Sequence, residues 1–128
     1  MPVAIITGAS KGIGWSIANR FAENGFDLLM IARDIEGLLA RSGELQQKFP
    51  DQRFATFSID LIDKSQLSSL SQFALATLSS MDVLVLNAGL FAMGDLLNTD
   101  DSPNLDDFMQ LHVLSNHYLC QKWQSSFK

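Results

Sequence analysis

The stretch Thr7-Gly8-Ala9-Ser10-Lys11-Gly12-Ile13-Gly14 places three glycines in a turn between an apolar run and a run with helical spacing. Glycine allows a sharp turn and a close approach of backbone to a bound group. The free N–H groups and positive end of the following helix then face that group, so the turn can cradle phosphate. Arg33 offers a planar fork suited to phosphate, and Lys11 adds a second positive charge within the turn. Asp60 and the Asn87-Ala88-Gly89 triplet each close a further apolar run.

To act together these residues must be brought to one rim. Val3 to Thr7 is a β-branched apolar run leading into Gly8, which predicts a buried strand ending in a sharp turn. From Gly14 to Asn24 the pattern is helical: Ile13, Ile17 and Phe21 recur at four-residue spacing, and Asn24-Gly25 supplies the closing left-handed residue. Asp27 to Ala32 predicts a second strand, and Ile35 to Phe49 a helix ended by Pro50. Phe54 to Ile59, Lys64 to about Leu78, and Met81 to Leu86 continue as strand, helix and strand, the last expected to be buried almost throughout. Leu90 to Pro103 reads as a polar loop before a final helix from about Leu105. This alternation predicts an α/β fold, a Rossmann-like doubly wound parallel sheet with helices on both faces. Thr7, Arg33, Asp60 and Asn87 then gather at the carboxyl ends of the strands, where such sheets bind ligands.

The glycine spacing, with three residues between Gly8 and Gly12 and one before Gly14, resembles the short-chain dehydrogenase/reductase family. It departs from the G-x-G-x-x-G of medium-chain dehydrogenases. Asn87-Ala88-Gly89 is similar to the family's N-A-G element, and Asp60-Leu61 to its adenine-contacting Asp dipeptide. The resemblance extends over essentially all 128 residues. It implies that Ser10 and Ile13 lie against the phosphates in a cradle shaped by Gly8, Gly12 and Gly14. It further implies that Asp60, with Leu61, receives the adenine amino group, that Ala88 and Gly89 line the ribose, and that Asn87 braces neighbouring strands. For Thr7 and Asn87 a plainer reading stays open, in which the side chains only satisfy backbone groups in turns.

The end of the second strand approaches the adenosine ribose in dinucleotide folds, where an acid bonds both hydroxyls of NAD and repels a 2′-phosphate. Ala32-Arg33 stands there, and Arg33 with Lys11 favours NADP(H) over NAD(H). The competing reading is a solvated Arg33 paired with Asp34. A methyltransferase of related architecture would want an acid where Arg33 stands.

Members of the resembled family transfer hydride between a nicotinamide and a carbonyl or alcohol, with a Tyr-x-x-x-Lys pair and an upstream Ser handling the oxygen and proton. Tyr118-Leu119-Cys120-Gln121-Lys122 spells that pair, but in the helix directly after the fourth strand, whereas the family's pair follows a fifth. Leu105 stands where the family has the serine. Four-residue spacing is equally that of any amphipathic surface, so the pair is set aside. The best register of the final helix puts His112 where the family carries a catalytic Asn that holds a water in a proton relay. A histidine there has a charge that depends on pH. His112 either relays protons or caps a packed helix, and His117, five residues on, suggests no metal pair. The expectation is a single cofactor-binding domain over residues 1–128, incomplete at its C-terminal end, supplying half of a longer reductase and inactive by itself.

Composition narrows the partners. With 47% apolar and 18% charged residues the chain can bury a core, and a net charge of −5 gives no basic field for nucleic acid. Cys120 is the lone cysteine, which excludes an intrachain disulfide and a cysteine metal cage and fits a cytoplasmic location. No stretch approaches the roughly 18 apolar residues of a membrane span, and no secretory leader is read at the N-terminus. In the strand order 3-2-1-4 the fourth strand is an open edge, and Phe108, Leu111, Leu114, Tyr118 and Leu119 form a stripe that needs cover. Because the family commonly builds subunit interfaces on this helix, a homo-oligomer is implied. Two functions follow: an NADP(H)-dependent reductase acting on a small carbonyl or alcohol, or a non-catalytic NADP-binding module that pairs with a partner through its last helix.

Overall fold

Successive side chains of a strand point to opposite faces, and here both faces are apolar. In β1 (Val3–Thr7) Ile5 faces one way and Ala4 and Ile6 the other, while β2 (Asp27–Ala32) sends Leu29 and Ile31 to the first face and Leu28 and Met30 to the second. Every one of these is buried, so both faces must be covered, as in a parallel sheet with crossover helices. The computed structural model describes residues 1–89 and 105–127. Among them β3 (Phe54–Ser58) and β4 (Val83–Val85) complete one parallel sheet in the order β3-β2-β1-β4. The fold is therefore the expected α/β, Rossmann-like doubly wound arrangement.

Helices α1 (Gly12–Glu23) and α2 (Ile35–Lys48) cover the second face through Ala18, Ala22, Leu38 and Leu45. The small alanines of α1 let it lie close to the sheet, and Gly25, at φ 86°, closes the turn after it. Helix α3 (Lys64–Thr77) covers the first face with Leu67, Leu70 and Ala74. A last helical segment joins it there: α4 (Leu105–Met109), a π-helical turn (Gln110–Leu114) and α5 (Ser115–Trp123), ending in a 3-10 turn (Gln124–Ser126). With α1 and α2 on one side and α3 and α5 on the other, the topology reverses between β1 and β4.

Three expectations need correction or qualification. The fourth strand is shorter than Met81 to Leu86 and only half-buried, because it carries sheet on one side through β1. Met81 instead makes an isolated parallel bridge with Phe127, so the β4 side of the sheet is already met by the end of the last segment. The cover that the apolar stripe of the last helix needs comes only in part from within the chain. Leu111 and Leu119 are buried in the same core as α3 with Trp123, whose indole N–H donates to the Ser71 carbonyl at 3.4 Å, and Phe108 and Tyr118 are half-buried. The exposed apolar residues there are Met109, Val113 and Leu114. Finally, the first helix starts at Gly12 rather than Gly14, and the third strand ends at Ser58 rather than Ile59. The expected loop from Leu90 to Pro103 lies outside the described residues.

Candidate functional site

The glycine turn is held by both its conformation and its neighbours. Gly8 sits at φ 67°, in the left-handed region, and a Cβ there would stand 2.9 Å from Asn87 Nδ2 and 3.1 Å from Ala88 Cα. A Cβ on Gly14 would run into the Gly8 carbonyl oxygen and lie 2.6 Å from Asn87 Nδ2. The first turn of α1 is thus pressed directly beneath the glycine turn. The Thr7 hydroxyl accepts the backbone N–H groups of Asn87 and Ala88 at 2.9 and 3.0 Å, and Asn87 Nδ2 donates to the Gly8 carbonyl at 3.3 Å. These bonds tie the ends of β1 and β4 together at the point where the topology reverses, the place at which such sheets open a crevice.

A cavity of about 370 Å³ opens along this rim. Gly8, Ser10 and Lys11 line it from the glycine turn, Ala32, Arg33 and Asp34 from the end of β2, and Asp60, Leu61 and Ile62 from the segment after β3. Ala88 and Gly89 close it beyond β4, and Leu111 reaches it from the π-helical turn. Ile31 and Ile59 complete an apolar slot between the charged end and Asp60. The Arg33 side chain is exposed at the cavity, and its carbonyl accepts the Ser58 hydroxyl at 2.9 Å, which fixes the backbone behind it. Among the described residues the ion pairs are Arg20 with Glu23 and Arg41 with Glu44, so Arg33 is not tied up by Asp34. The Asp34 carboxylate lies over Gly37 instead, 2.5 Å from where a Cβ would stand.

On the opposite wall Asp60 Oδ1 accepts the Ile62 backbone N–H at 3.1 Å. The next acid, Asp63, caps α3: it accepts from the Ser65 backbone at 3.0 Å, the Ser65 hydroxyl at 2.6 Å and Gln66 Nε2 at 2.9 Å. The Ser65 hydroxyl and backbone bonds hold the Asp63 carboxyl below its ordinary range. Gln110 is buried above this wall, its Nε2 reaching toward the Leu61 carbonyl at 3.5 Å while its Oε1 has no partner among the described residues.

The structure separates the residues singled out from sequence. Gly8, Ser10, Lys11, Arg33, Asp60, Leu61, Ala88 and Gly89 share the cavity, whereas Gly12, Ile13, Gly14 and Asn87 do not line it. Ile13 points to solvent at 72% exposure, Gly12 (φ 60°) borders open space, and Gly14 and Asn87 support the turn from below. His112 lies near the mouth, its Cε1 3.1 Å from where a Gly89 Cβ would stand and its ring stacked on Phe108 at 5.8 Å. Tyr118 and Lys122 contact each other, with Nζ 5.5 Å from the ring centroid, and neither lines the cavity. Sequence reading missed Ile62, Leu111 and Arg41, whose Nε donates to the Ser10 carbonyl at 3.2 Å. No local pattern marks them, since each acts through tertiary proximity.

Chemically, the charged end can hold an anion through Lys11, Arg33 and turn amides, and the apolar slot with Asp60 can take a flat ring bearing a donor. The model of the short chain dehydrogenase family matches residues 2–128. The chain belongs to that family. The diacetyl reductase [(S)-acetoin forming] of Staphylococcus epidermidis is 35% identical over 124 residues, covering 97% of this chain and 47% of that protein. Among solved structures, the alcohol dehydrogenase of the archaeon Thermococcus sibiricus, complexed with 5-hydroxy-NADP, superposes with a TM-score of 0.88 at 28% identity, over 98% of this chain and 53% of that one. The L-sorbose reductase of Gluconobacter frateurii, complexed with NADPH and L-sorbose, gives a TM-score of 0.86 at 26% identity, over 94% and 45% of the two chains. This short-chain dehydrogenase chain therefore spans about half the length of these relatives. Among its described residues no helix is long and apolar enough to cross a membrane, and no group of three or more His, Cys, Asp or Glu is placed to hold a metal.

Proposed function

We propose that residues 1–128 form the NADP(H)-binding domain of an oxidoreductase that moves hydride between the nicotinamide and a small carbonyl or alcohol. The observation that carries this reading is Arg33, exposed at the end of β2 and lining the same cavity as Lys11, where a binder of NAD would carry an acid. The residues present fit the cofactor. Lys11 and Arg33 would take the 2′-phosphate, the Gly8–Ser10 backbone the pyrophosphate, and Asp60 with the slot of Ile59, Leu61 and Ile62 the adenine. Gly12, Ile13 and Gly14 belong to this reading through their backbone at the start of α1, and Asn87 through its support of Gly8. When bound, the cofactor supplies or takes up the hydride; the chain's own residues bind it, orient it and keep its adenine end from water.

Relatives complexed with NADPH and 5-hydroxy-NADP support a phosphorylated nicotinamide cofactor. The 128 residues by themselves would bind without turnover, because neither Tyr118 nor Lys122 lines the cavity and His112, near Gly89, would stand in place of the family's Asn. Exposed Met109, Val113 and Leu114 would meet a second subunit, and an exposed free Cys120 fits the reducing cytoplasm. The test is Arg33→Asp: NADPH binding should weaken by about 1.5–3 kcal/mol, the scale of charge-assisted hydrogen bonds, and NADH binding should be spared. Equal loss of both cofactors would sink the assignment.

A further inference from the structure

The glycine turn and the strand ends supply most of the cavity wall, but Arg41 acts on it from the middle of α2. Its Nε donates to the Ser10 carbonyl at 3.2 Å, its guanidinium carbon lies 4.5 Å from the centroid of the Trp15 ring, and Nη1 is 3.3 Å from Glu44. Ser10 belongs to the glycine turn and Trp15 to the first turn of α1, so one side chain fastens α2 to both. One turn earlier α2 also meets the turn: a Cβ on Gly37 would stand 3.4 Å from Ser10 Cβ, an ordinary packing distance.

The peptide joining Ser10 and Lys11 is planar and trans, so its N–H points opposite to its C=O. Ser10 and Lys11 line the cavity and Arg41 does not. With the Ser10 carbonyl drawn toward Arg41, the planar peptide turns the Lys11 N–H away from Arg41. Among the described residues no protein acceptor takes that N–H. We infer that Arg41 is a positioning residue: it holds the Ser10–Lys11 peptide so that the Lys11 N–H and ammonium are presented together to an anionic group of the ligand. This rests on the proposed NADP(H) site and names the 2′-phosphate as that group. A guanidinium suits the task because it stacks on an indole while donating through Nε, which a lysine cannot do.

Arg41→Met and Arg41→Lys test this in two measurements on the whole chain. In the free protein, amide hydrogen exchange over residues 8–14 should quicken in both variants while the β2 amides keep their protection; unchanged exchange over 8–14 would overturn the clamp. In calorimetric titrations both variants should bind NADPH roughly tenfold more weakly, the scale of one charge-assisted hydrogen bond, with NADH changed by less than about twofold. Wild-type affinity in Arg41→Lys would reduce Arg41 to a mere charge, and equal loss for NADH and NADPH would remove its link to the 2′-phosphate; either result overturns the inference. If the unaltered chain bound neither cofactor, the proposed function would fall, and the link to the 2′-phosphate with it, while the exchange data would still decide the clamp. Should Arg41→Met not fold, Arg41→Lys carries both measurements.

Discussion

The fully buried Thr7 hydroxyl accepts the backbone N–H of Ala88 at 3.0 Å while also holding that of Asn87 at 2.9 Å, joining β1 to the chain beyond β4. One oxygen therefore satisfies two donors at the floor of the cavity. Thr7→Val keeps the shape and leaves both donors without an acceptor, each at a cost of about 1–3 kcal/mol. Urea unfolding of Thr7→Val should show a loss of about 2–4 kcal/mol, largely restored in Thr7→Ser. A loss below about 0.5 kcal/mol would mean that water replaces the hydroxyl.

Two glycines in helices should respond oppositely to alanine. A Cβ on Gly14 meets the Gly8 carbonyl and Asn87 Nδ2, so Gly14→Ala must displace the glycine turn and should destabilise the chain by about 1–3 kcal/mol and weaken cofactor binding. Gly43, in α2, has nothing within 4 Å of its added Cβ, and Gly43→Ala should stabilise by about 0.5–1 kcal/mol through helix propensity alone. Thermal unfolding of the pair distinguishes close approach from conformational freedom.

The strands at Val3–Thr7 and Asp27–Ala32 were legible to the residue, because unbroken apolar runs of strand length have few other homes. The cavity residues at strand ends were legible for the same reason: once the strands are placed, the next residue falls on the rim. The fate of the last helix was not. A π-helical turn at Gln110–Leu114 adds residues to one turn without a compositional mark, and from Leu111 within it the four-residue row continues through Ser115, Leu119 and Trp123, all buried. Arg41 was equally hidden, since its partners are Ser10 and Trp15 and only the packing of α2 on α1 brings them within reach.

Acid should act on α3 through its cap. The Asp63 carboxyl is held below its ordinary value of 3.8, chiefly by the Ser65 hydroxyl and backbone, so it favours the folded state above the unfolded value and loses that contribution as pH falls through the folded one. Asp63→Ala should therefore lower Tm at pH 7 and pH 5 alike, with the difference from the unaltered chain shrinking below pH about 4. A difference that persisted unchanged into strong acid would contradict the capping role.

Gln110 buries an acceptor that no donor among the described residues reaches, in exchange for a long 3.5 Å bond to Leu61. Gln110→Met removes the orphan oxygen at nearly constant volume and should stabilise the fold by about 1 kcal/mol. A comparable loss would show that the Leu61 carbonyl depends on the amide.

Selection of a 2′-phosphate by this cavity is tested by calorimetric titration of the unaltered 128-residue chain with NADPH and with NADH. Saturable binding of one NADPH per chain is expected, roughly 10- to 100-fold tighter than NADH, as one or two charge-assisted contacts from Lys11 and Arg33 would give. Equal affinities, a preference for NADH, or no binding of NADPH would contradict it.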